Sequence, residues 1–346
     1  MSRLIKTAGF TDIHFGKKSN SDQHNQDCLN FIKWFCDEIR EIGNVDSVVF
    51  CGDWFENRSA IDVKVLNYSY RGAKLLNDLE IPIFFLVGNH DLYQRNSRDI
   101  FSTAVFHEFK NFKVIQKPTV IKKLGDGTLL CPFLFEEEYK ILKKYQDLQS
   151  WWGHFEFRGF QITGYNLVMQ HGPEAAQFDG PERIFSGHFH KRQVRDNVVY
   201  FGNTFPMDFG DAGDFARGMV IYDHVENKME FRDWKECPKY VRVSLSDLID
   251  NDVSLPQGAR VKCGVDFPIN FEESAHLKQQ FVKKFGLREF SLEENTGVEE
   301  ALSDTDVEWE DNSKMLSVGD MIVEMLGKIK TERINNELLL KLYREI

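Results

Sequence analysis

Five short stretches of the 346-residue chain gather side chains suited to holding a cation: Asp12-Ile13-His14, Gly52-Asp53, Gly88-Asn89-His90-Asp91, Gly153-His154 and Gly187-His188-Phe189-His190. Five of the ten histidines fall within them. The alternation in D-x-H and H-x-H matters physically, because in extended backbone residues two apart point the same way and can grip one ion together. The glycines that open four of the stretches remove a side chain where backbone must turn sharply or approach closely. Carboxylates, an amide oxygen and imidazole nitrogens, with no thiolate, suit borderline-to-hard divalent ions such as Mn, Fe, Zn or Mg. Seven donor residues (Asp12, His14, Asp53, Asn89, His154, His188 and His190) exceed the needs of one tetrahedral site, so two metals sharing a carboxylate are expected. Only Asp12 and Asp53 bring negative charge. Two divalent ions would leave an excess of about two positive charges, which attracts phosphate and stabilises charge building in an in-line displacement. Phosphoester hydrolysis is the chemistry this predicts.

Such loops need strands behind them. Up to about residue 234, short β-rich runs (4–8, 47–51, 83–87) alternate with helical stretches, as expected of an α/β layered domain whose ligands gather at strand ends. Apolar residues at Cys28, Leu29, Phe31, Ile32, Phe35, Cys36, Ile39 and Ile42 repeat with a helical period and predict a helix over 27–42, covering one sheet face. Later runs (113–116, 119–121, 128–131, 198–201, 219–222 and 229–232) carry turn residues and fewer helices, which predicts a more antiparallel second half of the sheet. After Cys237-Pro238, strand-like 240–243 and 260–265 and a helix-like 272–285 predict a small α+β domain. Residues 291–312 hold nine acids and no base, a solvated linker by composition. Beyond it Val318, Met321, Ile322, Met325, Leu326 and Ile329, then Ile334, Leu338, Leu339 and Leu342, predict an amphipathic helical pair.

Composition bounds the class. Hydrophobic residues make up 42% and include 30 Phe, far above a disordered chain. No apolar run approaches the roughly 18 residues of a membrane span, and the N-terminus reaches polar residues too soon for a signal-peptide core. Export and membrane insertion are therefore excluded as expectations, and a cytoplasmic protein is expected. Six scattered cysteines without a C-x-x-C pair read as reduced, mostly buried thiols. The net charge of −11 argues against a nucleic-acid partner, but the acidic run carries most of it and the rest of the chain is near neutral.

The five stretches, in this order, resemble those of the calcineurin-like metallophosphoesterases. The resemblance implies a layered α/β (α+β) sandwich in which Asp12, His14 and His190 hold one metal, Asn89, His154 and His188 the other, and Asp53 bridges. It makes His90 the non-ligand histidine that contacts the phosphate or protonates the leaving oxygen, with Asp91 beside it to orient the ring. Ser/Thr phosphatases carry G-D-x-x-D-R-G and G-N-H-E. This chain departs from both, reading Gly52-Asp53-Trp54-Phe55-Glu56-Asn57-Arg58 and ending its third stretch in Asp91. Those segments, with Gly153-His154-Phe155-Glu156 and Ser186-Gly187-His188-Phe189-His190, are instead similar to the SbcD-type DNA repair nucleases, phage recombination nucleases among them. That group implies a homodimer, Mn-dependent cleavage of DNA, and an SbcC-type SMC-like ATPase held by the C-terminal helices; by the same analogy helices between Asp22 and Leu79 form the dimer interface, although their apolar faces could equally cover the sheet. The chain then divides into a nuclease domain over 1–237, a capping domain over 238–290, an acidic flexible linker over 291–312 and a partner-binding segment over 313–346. Glu56 departs from this group too, since cellular members often carry histidine there.

Arg58, Arg95, Arg98, Lys191, Arg192 and Arg195 flank the ligand loops and are candidates for phosphate contacts, against the plain alternative of scattered surface charge. His171 is a candidate to reach the site from a loop; His24, His107, His224 and His276 have no motif around them and read as structural or surface. Trp151 and Trp152 could stack bases, though aromatics more often fill cores. No G-x-x-x-x-G-K-[ST] loop occurs, so nucleotide-driven work must come from another chain. Two other readings stay open: a small-molecule phosphodiesterase or phosphatase of the same superfamily, and a non-catalytic scaffold.

Overall fold

The structure, a computed structural model, describes residues 3–162, 167–250 and 253–294. Fourteen strands precede residue 234: β1 (Lys6–Phe10), β2 (Ser47–Phe50), β3 (Ile83–Leu86), β4 (Leu92–Gln94), β5 (Ser97–Phe101), β6 (Phe112–Ile115) and β7 (Thr119–Ile121), then β8 (Thr128–Cys131), β9 (Ser150–Gly153), β10 (Arg183–Ser186), β11 (Gln193–Arg195), β12 (Val198–Tyr200), β13 (Gly218–Asp223) and β14 (Lys228–Asp233). They form not one sheet but two of six strands, ordered β14-β13-β1-β2-β3-β6 and β11-β12-β10-β9-β8-β7, plus the β4-β5 hairpin. The expected antiparallel second half is corrected accordingly. The first sheet is parallel from β1 to its edge strand β6 and antiparallel at β13 and β14, while the second is parallel at its centre (β8-β9-β10-β12) and antiparallel at both edges. Strands β9 and β10 escaped the sequence reading because Ser-Trp-Trp-Gly and Arg-Ile-Phe-Ser show no alternation, their residues being buried almost throughout.

The two sheets pack face to face through Val49, Leu86, Leu130, Trp152, Phe185 and Tyr222. Trp152 stacks on Phe185 at 4.2 Å between centroids and lies so close to β1 that a Cβ at Gly9 would sit 2.3 Å from its ring. Neither Trp151 nor Trp152 is exposed, so both belong to the core. On the outer face of the first sheet lie helices α1 (Asp22–Ile42) and α2 (Val63–Asn77). Helix α1 starts five residues earlier than its apolar period, where Ser21 accepts the His24 N–H, and stops at Gly43, whose φ of 74° suits only glycine well. It buries Phe31, Ile32 and Phe35 against Phe10 of β1.

Residues beyond Pro238 build a separate parallel sheet of β15 (Tyr240–Ser244), β16 (Arg260–Val265) and β17 (Glu289–Glu294), with α3 (Leu245–Ile249) and α4 (Phe271–Phe285). Its own core holds Leu245, Leu248, Val261, Cys263, Phe281 and Phe290. Strand β17 carries the chain four residues into the stretch read as linker. The reason is alternation: Phe290 is buried and Leu292 packs on that core, while Glu289 and Glu293 pair with Arg260 and Lys262 at 3.6 and 2.5 Å. Arg288 meets Asp27 of α1 at 2.8 Å, and Lys18 bonds the Tyr240 hydroxyl, which fastens this module to the larger one. The acidic run after residue 294 and the helical pair over 313–346 lie outside the described residues. All six cysteines are buried free thiols, and no described helix is long and apolar enough to cross a membrane.

Candidate metal centre

The ligand loops all follow parallel strands. Asp12 and His14 follow β1, Asp53 follows β2, Asn89 and His90 follow β3, His154 follows β9, and His188 and His190 follow β10. Neighbouring loops are zipped by main chain: Gly52 accepts the Asp12 N–H (3.0 Å), and Asp53 accepts those of Ile13 (3.1 Å) and His14 (3.2 Å). Asp12, His14, Asp53 and His188 take positive φ (50°, 51°, 62° and 86°), which turns their side chains toward a common space. Gly88 lets the third loop approach, since a Cβ there would lie 2.3 Å from the Asp53 nitrogen.

Around that space the structure brings all seven predicted ligands together. The Nε2 atoms of His14 and His190 face each other at 3.2 Å, and each stands 3.8 Å from Asp12 Oδ1. Asn89 Oδ1 lies 2.8 Å from His154 Nε2 and 3.0 Å from His188 Nδ1. Asp53 Oδ2 sits between these groups, 3.9 Å from His14 Nε2 and 3.4 Å from His154 Nε2, while its Oδ1 accepts the His90 N–H at 2.8 Å.

The donor set fits cations. Donors held 2.0–2.2 Å from one ion lie about 3.0–3.5 Å apart, close to the separations found. Asp12 Oδ1 is buried with no hydrogen-bond partner, a costly arrangement unless a cation meets it. Tautomers agree. His154 Nδ1 lies 2.6 Å from the Cys51 carbonyl and His188 Nε2 lies 3.0 Å from Glu156 Oε2, so the protons belong on those outer atoms and lone pairs face Asn89 Oδ1. Two acceptors at such distances need a positive charge between them.

In the ion-free chain protons supply it. Burial opposes charge on His14 and His154, but Asp12, Glu56 and Asp53 outweigh it and raise them to about 10 and about 9. Burial likewise opposes the carboxylates, yet the surrounding histidines lower Asp12 and take Asp53 well below the ordinary range. Burial and the nearby His14 charge lower His190 to about 4.

Asp91 requires a correction. Its carboxylate does not meet the His90 ring; it accepts the N–H groups of Asp53 (3.0 Å), Trp54 (3.0 Å), Phe55 (3.3 Å) and Gly88 (2.9 Å), clasping the second loop to the third. Burial and the Asp53 charge push it up to about 7 against those donors. The His90 ring is instead set by the Glu56 carbonyl, 2.9 Å from Nδ1. Three supporting residues were given no role by the sequence: Glu56, Glu156 and the buried His24, whose Nε2 lies 2.9 Å from the His14 carbonyl. An acid two or three residues past a ligand is the signal that could have found the first two.

The basic candidates divide. Arg192 is committed to Asp233 (2.7 Å) and lies over Phe231; Arg98 is bound to Glu138 and the Phe133 carbonyl; Arg195 donates to the Gly159 carbonyl over Phe160. Arg95 is exposed, and Arg58 and Lys191 are half-buried. His171 is exposed, within electrostatic reach of Glu156. His24 and His224 are buried, whereas His107 and His276 pair with Gln116 and Gln280 at the surface.

Comparison with known proteins agrees with this geometry. The calcineurin-like phosphoesterase model matches residues 5–192. Exonuclease subunit 1 of Enterobacteria phage T4 is 29% identical over 231 residues, covering 66% of this chain and 67% of that protein. The DNA double-strand break repair protein Mre11 of Methanocaldococcus jannaschii is 22% identical over 355 aligned positions, covering 97% of this chain and 93% of that protein.

Proposed function

Because the chain belongs to the calcineurin-like phosphoesterase family, we propose that it hydrolyses DNA phosphodiester bonds as the nuclease subunit of a double-strand-break repair and recombination complex. It is a metal-dependent phosphoesterase related to such nucleases. The carrying observation is the convergence of Asp12, His14 and His190 on one side of Asp53 and Asn89, His154 and His188 on the other. Those groups would hold two divalent ions, manganese first, with Asp53 shared. Once bound, the ions supply Lewis-acid polarisation of the phosphoryl oxygens.

The chain itself supplies geometry and a proton. With His90 Nδ1–H donating a hydrogen bond to the Glu56 carbonyl, Nε2 is left for the leaving oxygen, to which the imidazolium form would hand its Nε2 proton and return to the neutral ring. Asp91 keeps the second and third loops in register, so Asp53 and Asn89 stay at fixed separation. Arg58, Arg95 and Lys191 border the loops as candidate phosphate contacts. The exposed apolar side chains Val63, Leu66 and Tyr70 of α2 line a cleft of about 700 Å³ with Val105 and Phe109, which supports pairing of two copies there. Residues 238–294 would cap the nuclease module, and 313–346 would carry the ATPase partner. The buried free thiols support a reducing, cytoplasmic setting.

Purified protein given Mn and end-labelled DNA should shorten the strands, and Asp53→Asn and His90→Ala proteins should not. Persistent cleavage by both variants overturns the assignment; a cyclic nucleotide turned over far faster than DNA gives the site to small phosphodiesters. Absence of metal uptake after Mn dialysis would favour a scaffold.

A further inference from the structure

Resting on that metal-dependent reading, we propose that Glu56 is a positioning residue that ties the metal-holding side of the site to its proton-handling side. Its side-chain Oε2 stands 2.8 Å from His14 Nδ1, and its main-chain oxygen stands 2.9 Å from His90 Nδ1. Both Glu56 Oε2 and His14 Nδ1 are shut off from solvent and neither hydrogen-bonds elsewhere, so among the described residues each is the other's partner. The contact is one of charge rather than an aligned hydrogen bond. Lys17 Nζ lies 3.7 Å from the other carboxylate oxygen. The two rings that Glu56 touches meet edge to face, 5.0 Å apart and at 88°.

A carboxylate behind a metal-ligating histidine keeps the proton on the far nitrogen, fixes the ring and raises its basicity; losing such a partner costs about 10–100-fold in metal affinity. Glu156 plays that part for His188 alone. Glu56 plays it for His14 and adds a second hold through its backbone, so its two functions separate cleanly. A side-chain substitution removes the hold on His14 and leaves the main-chain acceptor of His90 in place. Glutamine at this position keeps the size and removes only the charge.

The test uses the full chain, with Mn binding followed by calorimetry and electron paramagnetic resonance in wild type, Glu56→Gln, Glu56→Ala, Glu56→Asp and, as reference, Asp53→Asn. Glu56→Gln and Glu56→Ala should each weaken Mn uptake about 10–100-fold and alter the Mn spectrum, with Glu56→Asp recovering part of the affinity. At saturating Mn, Glu56→Gln should keep the wild-type pH profile on bis(4-nitrophenyl) phosphate, because His90 retains its acceptor. Wild-type Mn affinity in both Gln and Ala proteins overturns the proposal, as does a loss in Ala that Gln restores, since that outcome makes the residue a matter of packing. If Asp53→Asn also binds Mn normally, the metal reading itself has failed, a distinct result.

Discussion

The two six-stranded sheets contribute unlike halves of the centre. The first sheet, through the loops after β1, β2 and β3, provides every oxygen donor (Asp12, Asp53, Asn89) and both negative charges; the second, through β9 and β10, provides only imidazoles (His154, His188, His190). Neither half can hold two cations alone. The first offers only Asp12, His14, Asp53 and Asn89, fewer donors than two ions need, and the second has no charge to offset an ion. The centre is therefore a property of the contact between sheets, and that contact is made by Trp152, Phe185 and their neighbours.

Several experiments would break or sharpen this contrast. The largest effect belongs to the residue facing both halves: Asp53→Asn should lower turnover by roughly 10²–10³-fold or more and reduce bound Mn, read by kinetics and metal analysis. An Asp53→Asn protein with full metal content would show that the halves do not share this carboxylate. Trp152→Ala, which changes no ligand, should destabilise the fold by about 3–5 kcal/mol in denaturant titration and also weaken Mn binding. Unchanged metal affinity there would mean that the halves hold their places independently. Added Mn at about 100 times its Kd should stabilise wild type by about 2.7 kcal/mol, seen as a higher Tm that EDTA reverses.

Protonation offers a gentler probe. His14 and His154 are raised to about 10 and about 9, so Mn must displace protons at neutral pH. Affinity should rise with pH between 6 and 9, with proton release measured by calorimetry in buffers of different ionisation enthalpy. In the ion-free protein the same two groups contribute stability that is fully present below about 6.5 and lost as pH rises through about 9–10. Melting curves at pH 6 and pH 10 without metal check the sign. The smallest effect is expected at Arg95, where alanine should weaken DNA binding a few-fold and reduce its salt dependence while sparing small phosphodiesters.

How legible each half was depended on distance along the chain. Asp12 with His14 and His188 with His190 announced themselves as closely spaced donors, but not for the reason the spacing suggests: Asp12, His14 and His188 are left-handed rather than extended, and His188 and His190 face different partners, Asn89 and His14. The partners of Glu56 and Glu156 stayed silent, since what they touch, His14 and His188, arrives from other loops 42 and 32 residues away. Asp91 was misread for the same reason: its neighbour in sequence is His90, but its carboxylate faces backbone more than 30 residues away. Strands β9 and β10 were also invisible, because four-residue strands buried almost throughout lack the alternation that betrays a half-exposed one. Strands β7, β8 and β16 have the bounds their composition predicts.

The left-handed backbone at Asp12, His14, Asp53 and His188 has a practical corollary for anyone evolving this protein. Residues other than glycine held there sacrifice of the order of 1 kcal/mol apiece. A screen that selects survivors of heating, with no demand for turnover, should therefore drift toward glycine at His188, whose loss strands no backbone donor, and not at Asp12 or Asp53, whose carboxylates accept the His188 and His90 N–H groups at 3.0 and 2.8 Å. The variants it enriches would be hardier and inert, a trade-off written into the main chain rather than into the ligands' chemistry.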